Sequence, residues 1–183
     1  MPQATCDRRT HDGVLAEQDR QSVIGSDKAG SCGYLQGFNP FKDLTDCATV
    51  KTYVGNVIKS AVCTSTSSTC NSMLKAQMLA TALDVYFTAN PNATSRNFLP
   101  STPIGPVVID LDYICSNPGA CGSYEDVSAA FGGASSMTVS QMLAYAASQS
   151  NVGGSLWYGQ VKATQVLAKD AFDAINNQVA YTP

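Results

Sequence analysis

Seven cysteines constrain this 183-residue chain more than any other feature, because their spacing indicates which segments are joined: Cys6, Cys32, Cys47, Cys63, Cys70, Cys115 and Cys121. Cys63 and Cys70 flank six serines and threonines, a polar run with little preference for regular structure. Cys115 and Cys121 flank a segment that contains Asn-Pro-Gly, a strong turn sequence. We therefore predict that each of these two pairs forms a disulfide that closes a short loop between ordered segments.

The remaining cysteines pair by elimination, Cys32 with Cys47, and leave Cys6 over in the N-terminal tail. Six cysteines allow fifteen connectivities, so other pairings remain open. Three disulfides predict an oxidising compartment, with the protein secreted or at the cell surface. The alternative is a cytosolic protein with seven reduced, buried cysteines. Because no Cys-x-x-Cys pair occurs and His11 is the single histidine, we predict no metal site and no cofactor.

Charged residues are scarce and unevenly distributed. Asp, Glu, Lys and Arg make up 14% of the chain, against about 25% in an average soluble domain. Nine of the 25 charged residues lie in residues 1–30, and 16 lie in the other 153. This distribution predicts a flexible charged tail or linker over 1–30 and a helical domain over 31–183.

Charge and hydropathy also exclude two classes of protein. The net charge is −3 and no basic cluster occurs beyond Arg8-Arg9, which excludes a nucleic-acid binder that depends on a basic patch. No apolar run approaches the ~18 residues of a membrane span, so membrane insertion is not expected.

Hydrophobic periodicity predicts a mainly α fold, a compact disulfide-stapled domain of four to five helices with at most one short extended segment. The segment 72–88 is apolar around most of its circumference, which is typical of a central, buried helix. Thr138 and Gln141 have the spacing of a capping box at the start of another helix. We predict helices over about 46–62, 72–88, 123–131, 138–148 and 155–179, and an extended segment over 107–113.

Two aspartates are the candidate acid groups. Asp110 and Asp112 would project from one face of the extended segment, about 7 Å apart. Such a pair could serve a glycoside hydrolase or bind calcium, and the alternative is a solvated face beside a buried one. A serine triad is excluded because the only histidine lies in the tail and no Gly-x-Ser-x-Gly motif occurs.

Trp157 and Tyr158 are the candidate ligand-binding aromatics. They lie between Gly154 and Gly159, where exposed rings could stack against a sugar. The alternative is that Trp157 is buried and anchors the last helix. Both interpretations stay open from the sequence.

Three segments carry a resemblance to a known group: the opening Cys-x-Tyr-x-Gln-Gly-aromatic at 32–38, the apolar stretch 74–87 and the ending 157–177. Over most of residues 31–180 the chain resembles uncharacterised secreted bacterial surface-protein domains. The resemblance implies a place near the end of a long extracellular protein, beside β-sandwich repeats. It implies no activity and no catalytic residue. Many members of the group continue with Trp-Lys-Asn-His, where this chain has Asn39-Pro40-Phe41-Lys42.

Together these observations predict a non-enzymatic structural or adhesive module of a larger secreted or cell-surface protein. Its expected partners are other domains of that parent protein or extracellular glycans. The first alternative is a carbohydrate-binding module that uses Trp157 and Tyr158. The second is a glycoside hydrolase that uses Asp110 and Asp112.

Overall fold

The computed structural model describes Ile24 and residues 27–90, 103–116 and 123–180. The described residues form a mainly helical fold, as predicted, with five α-helices and four short strands. The helices are α1 (Lys28–Gln36), α2 (Val50–Lys59), α3 (Asn71–Ala89), α4 (Val139–Ser148) and α5 (Lys162–Asn176). The strands are β1 (Val108–Asp110), β2 (Ile114–Cys115), β3 (Tyr124–Glu125) and β4 (Ser136–Thr138).

Helix α3 is the centre of the fold, as its sequence predicts. It has 19 residues and packs against each of the other four helices. Leu74, Met78 and Ala82 are fully buried along it. Because apolar side chains lie on several sides of α3, it can pack against all four neighbours at once.

The last helix is shorter than predicted. The sequence predicts one helix over 155–179, but α5 covers only Lys162–Asn176, about 22 Å of helix rather than about 37 Å. Tyr158, Gly159 and Gln160 all have positive φ, between 48° and 65°, so the chain cannot continue as an α-helix through them. A short 3₁₀ turn over Tyr158–Gln160 precedes α5 instead.

Extended structure is more frequent than the single segment predicted. Strand β1 pairs antiparallel with β4, with Val108 opposite Thr138, and β2 pairs antiparallel with β3. The predicted helix over 123–131 begins as β3, and only Ser128–Phe131 forms a 3₁₀ turn. Each strand is only two or three residues long, too short for a period-2 pattern to reveal.

The folded part of the chain extends before the predicted boundary at residue 31. Ile24 is 3% exposed and belongs to the hydrophobic core. Helix α1 begins at Lys28, and the Asp27 carboxylate caps it by accepting the N–H of Gly30 at 3.0 Å. Residues 27–30, which the sequence assigns to the tail, therefore belong to the helical fold.

Two of the predicted disulfides are confirmed. Cys32 is joined to Cys47 and Cys63 to Cys70, with Cα–Cα distances of 5.4 and 4.8 Å. The first disulfide holds the start of α2 against α1. The second joins the segment that follows the end of α2 to the start of α3. The predicted third pair cannot be followed because Cys121, like Cys6, lies outside the described residues; Cys115 is buried in β2.

No helix in the described part of the chain has both the length and the apolar character needed to cross a membrane.

Candidate functional site

The predicted aromatic pair does not form a binding platform. Trp157 is completely buried, and its indole N–H donates to the carbonyl of Gly154 at 2.7 Å. Tyr158 is half-buried, and its hydroxyl has no hydrogen-bond partner among the described residues. Burial, together with the nearby Tyr145, raises the pKa of Tyr158 well above its usual range. Because Trp157 has no exposed ring face, the interpretation of this residue as a core anchor is the one that the structure supports.

The predicted aspartate pair lies in a turn. Strand β1 ends at Asp110, whose Oδ1 accepts the backbone N–H of Asp112 at 3.0 Å. Asp110 therefore closes a local turn, and Asp112 is exposed beyond the end of the strand. The two carboxylates do not project from one face of a single strand, and neither lines the two cavities described next.

A groove of about 420 Å³ lies between α2 and α3, beside the turn that precedes Trp157. We call it the α2–α3 groove. Its walls come from four separate segments, and the two disulfides join the parts of the chain that carry three of them. The side chains that shape its chemistry are those of Asp43, Tyr53, Asn56, Ser60, Asn71 and Lys75.

One end of the groove is closed by an ionic network. The ammonium of Lys75 lies 2.8 Å from Asp43 Oδ2 and also donates to the carbonyl of Gly153 at 2.8 Å. The hydroxyl of Tyr53 donates to the other oxygen of Asp43. Lys75 Nζ also lies 5.2 Å from the centre of the Tyr53 ring, within cation–π range. The network ties α2 and α3 to the loop around residue 153.

The burial and charge of this network shift one pKa strongly. Burial is the largest cause that raises the pKa of Tyr53, and the hydrogen bond to Asp43 and its negative charge raise it further. Tyr53 therefore stays a neutral hydrogen-bond donor throughout the physiological pH range.

The far wall of the groove contains an acceptor without a donor. Asn71 Nδ2 donates to the carbonyl of Ser155 at 2.7 Å and to Gln160 Oε1 at 2.9 Å. Its Oδ1 is buried and accepts no hydrogen bond from the described residues. Exchanging the two amide atoms would place Oδ1 against two other acceptors, so this orientation is the favourable one.

A second cavity, of about 430 Å³, lies beside the Cys63–Cys70 loop, between α3 and α5. Lys162 Nζ donates to the carbonyls of Thr64, Ser65 and Ser67 at 2.8, 3.2 and 2.5 Å. Since an ammonium has three N–H groups, these contacts use its whole donor capacity. Lys162 therefore orders the disulfide loop and has no donor left for a ligand.

An acidic cluster lies where β3 meets α5. Burial raises the pKa of Glu125, and the charge of Asp170 raises it further, while Lys169 opposes this shift. Lys169 and Asp170 form an ion pair. Burial also raises the pKa of Asp173, whose Oδ1 accepts from Gln77 at 2.8 Å.

In the described parts of the chain, no group of three or more His, Cys, Asp or Glu side chains is arranged to hold a metal ion.

No pattern in the sequence identifies Lys75 or Tyr53 as groove residues. Tyr53 belongs to the apolar stripe of its helix, and Lys75 reads as an ordinary surface lysine. Their partner Asp43 lies 32 residues before Lys75 in the chain, so only the tertiary fold brings the three together.

Comparison of the chain with protein-family models, with curated proteins and with solved structures produced no match in any of the three. The likeness to secreted bacterial surface-protein domains therefore remains a prediction from the sequence.

Proposed function

We propose that this chain is a non-enzymatic structural or adhesive module of a larger extracellular or bacterial cell-surface protein. The observation that carries the proposal is the pair of disulfides, which join α1 to the start of α2 and the end of α2 to α3. Structural disulfides persist in oxidising compartments and are rare in the cytosol.

The use of charged side chains supports a structural role. Lys162 donates its three N–H groups to the carbonyls of one loop, and Lys75 binds Asp43 and a backbone carbonyl. Through these contacts both lysines hold loops against helices. A nucleophile or general base, by contrast, needs a side chain positioned toward the substrate.

The proposal makes two predictions, which a comparison of two preparations tests. When the chain is exported to an oxidising compartment, it should carry both disulfides and unfold cooperatively. When it is made in a reducing cytosol, its free energy of unfolding should be lower by several kcal/mol, since each disulfide contributes about 2–3 kcal/mol. Thiol alkylation with mass spectrometry and urea unfolding measure both properties. Equal stability of the two preparations, despite reduced cysteines in one, would argue against an extracellular module.

The hydrolase alternative is tested on the same material. We expect no turnover on a broad panel of glycosides, esters and peptides. If turnover is seen, the double variant Asp110→Asn/Asp112→Asn decides whether the predicted aspartate pair is responsible: loss of turnover supports the hydrolase, and retained turnover places the activity elsewhere. Either kind of turnover overturns the non-enzymatic proposal.

A further inference from the structure

We infer that the α2–α3 groove binds a short neutral saccharide. The inference rests on the proposed adhesive role and names the ligand class that this role would involve. The groove volume of about 420 Å³ lies within the range of roughly 300–1,000 Å³ that is typical of small-molecule sites. A site between helices is also a common location for such sites.

The charges of the groove favour a neutral ligand. Its two charged side chains are Asp43 and Lys75, which neutralise each other at 2.8 Å. Lys75 is 12% exposed, whereas Asp43 is 42% exposed, so the more accessible of the two charges is negative. A phosphate, sulfate or carboxylate group would meet Asp43 without an unpaired cation to compensate.

The uncharged polar groups match the hydrogen bonding of sugar hydroxyls, which both donate and accept. Asn56 is exposed, and its side-chain amide makes no hydrogen bond within the described residues, so it can offer both a donor and an acceptor. Asn71 Oδ1 lacks a donor but is buried, so a ligand hydroxyl in the groove does not reach it. Lys75 uses two of its three N–H groups on Asp43 and Gly153, which leaves one donor.

An apolar surface accompanies these polar groups. The half-buried ring of Tyr53 and the side chain of Val57 line the same groove. An aromatic ring with neighbouring amides suits a sugar, which has an apolar C–H face and a polar edge. Because the Asp43–Tyr53–Lys75 network already fixes the ring, binding requires little further ordering of the protein.

Asn56 is the residue to change, because it is exposed and the described fold makes no use of its side chain. The disulfide-intact chain is first screened on an array of neutral gluco-, manno- and galacto-oligosaccharides, with sialylated and sulfated glycans alongside, and the strongest neutral glycan is titrated by calorimetry. We expect Asn56→Ala to weaken binding about tenfold, since one lost hydrogen bond corresponds to about 1.4 kcal/mol. Asn56→Trp should abolish binding by filling the groove.

The control variant is Lys51→Ala on the same helix, about 140° away from Asn56 around the axis and likewise exposed. It should bind the glycan as the unaltered chain does, and thermal unfolding should show all three variants folded. Absence of binding to every neutral glycan, a preference for anionic glycans, or unchanged binding by both Asn56 variants would each overturn the inference. None of these results bears on turnover or on disulfide dependence, so the proposed function stands or falls separately.

Discussion

Gln165 shows how one buried polar side chain can join distant parts of a fold. It is completely buried, its Oε1 accepts the N–H of Cys70 at 2.6 Å, and its Nε2 donates to the carbonyl of Trp157 at 3.0 Å. It thus connects the disulfide that precedes α3 to the turn that precedes α5. Buried polar groups cost free energy unless they are paired, and here both ends of the amide are paired.

Replacing Gln165 tests this connection. Gln165→Leu leaves the N–H of Cys70 without its acceptor, while the carbonyl of Trp157 keeps a second donor, the N–H of Gln160. We expect the free energy of unfolding to fall by about 2–3 kcal/mol, measured by urea denaturation. In the control Gln149→Leu, the lost side chain bonds, among the described residues, only to the neighbouring Ser148, so stability should stay within about 0.5 kcal/mol. Equal losses in the two variants would contradict a specific role for Gln165.

Among the helices and strands, local sequence patterns predict the capping of α4 but not the pairing of the strands. The capping box of α4 forms as its sequence predicts: Thr138 Oγ1 accepts the N–H of Gln141, and Gln141 Oε1 accepts the N–H of Thr138. The same Thr138 also lies opposite Val108 in a strand pair, which no local pattern indicates. The small β2–β3 hairpin packs against α5, where it places Glu125 near the charges of that helix.

Two neighbouring acids on this hairpin should respond to pH in opposite directions. The pKa of Glu125 is raised by burial and by Asp170, so the folded state resists its ionisation and stability falls as pH rises through that pKa. The pKa of Asp126 is lowered by its hydrogen bonds to Ser128, so its contribution is present above its ordinary pKa and is lost as pH falls.

Amide substitutions make this contrast measurable. We expect Glu125→Gln to increase stability at neutral pH, with the gain vanishing at acidic pH, where the native side chain is itself protonated. Asp126→Asn serves as the matched control and should decrease stability at neutral pH, with the loss vanishing on acidification. Chemical denaturation across a pH series measures both curves, and changes of the same sign in the two variants would contradict the assigned causes.

For the whole molecule, the central helix and the disulfides together hold the described helices in place. Helix α3 packs against each of the other four described helices, and each disulfide closes a loop at its periphery. The closed loops span 15 and 7 residues along the chain. A disulfide lowers the entropy of the unfolded chain, and this effect grows with the length of the loop that it closes. The Cys32–Cys47 bond should therefore contribute more to stability.

Removing each disulfide separately tests whether the Cys32–Cys47 bond contributes more to stability than the Cys63–Cys70 bond. We expect the pair Cys32→Ala/Cys47→Ala to cost about 3 kcal/mol and the pair Cys63→Ala/Cys70→Ala about 2 kcal/mol. Urea unfolding of the two double variants, each beside the unaltered chain, gives the comparison directly. A larger loss for the shorter loop would show that local packing around Cys70, which is fully buried, outweighs chain entropy.

The sequence by itself determined what depends on near neighbours. The mainly helical class, the central helix, the α4 capping box and the Cys63–Cys70 bond all follow from residues a few positions apart, where periodicity and spacing are informative. Only the tertiary structure decided the burial of Trp157, the break before α5 and the Asp43–Tyr53–Lys75 network. Those features depend on contacts between distant segments, such as the 95 residues that separate Cys70 from Gln165, and no local pattern encodes which segments meet.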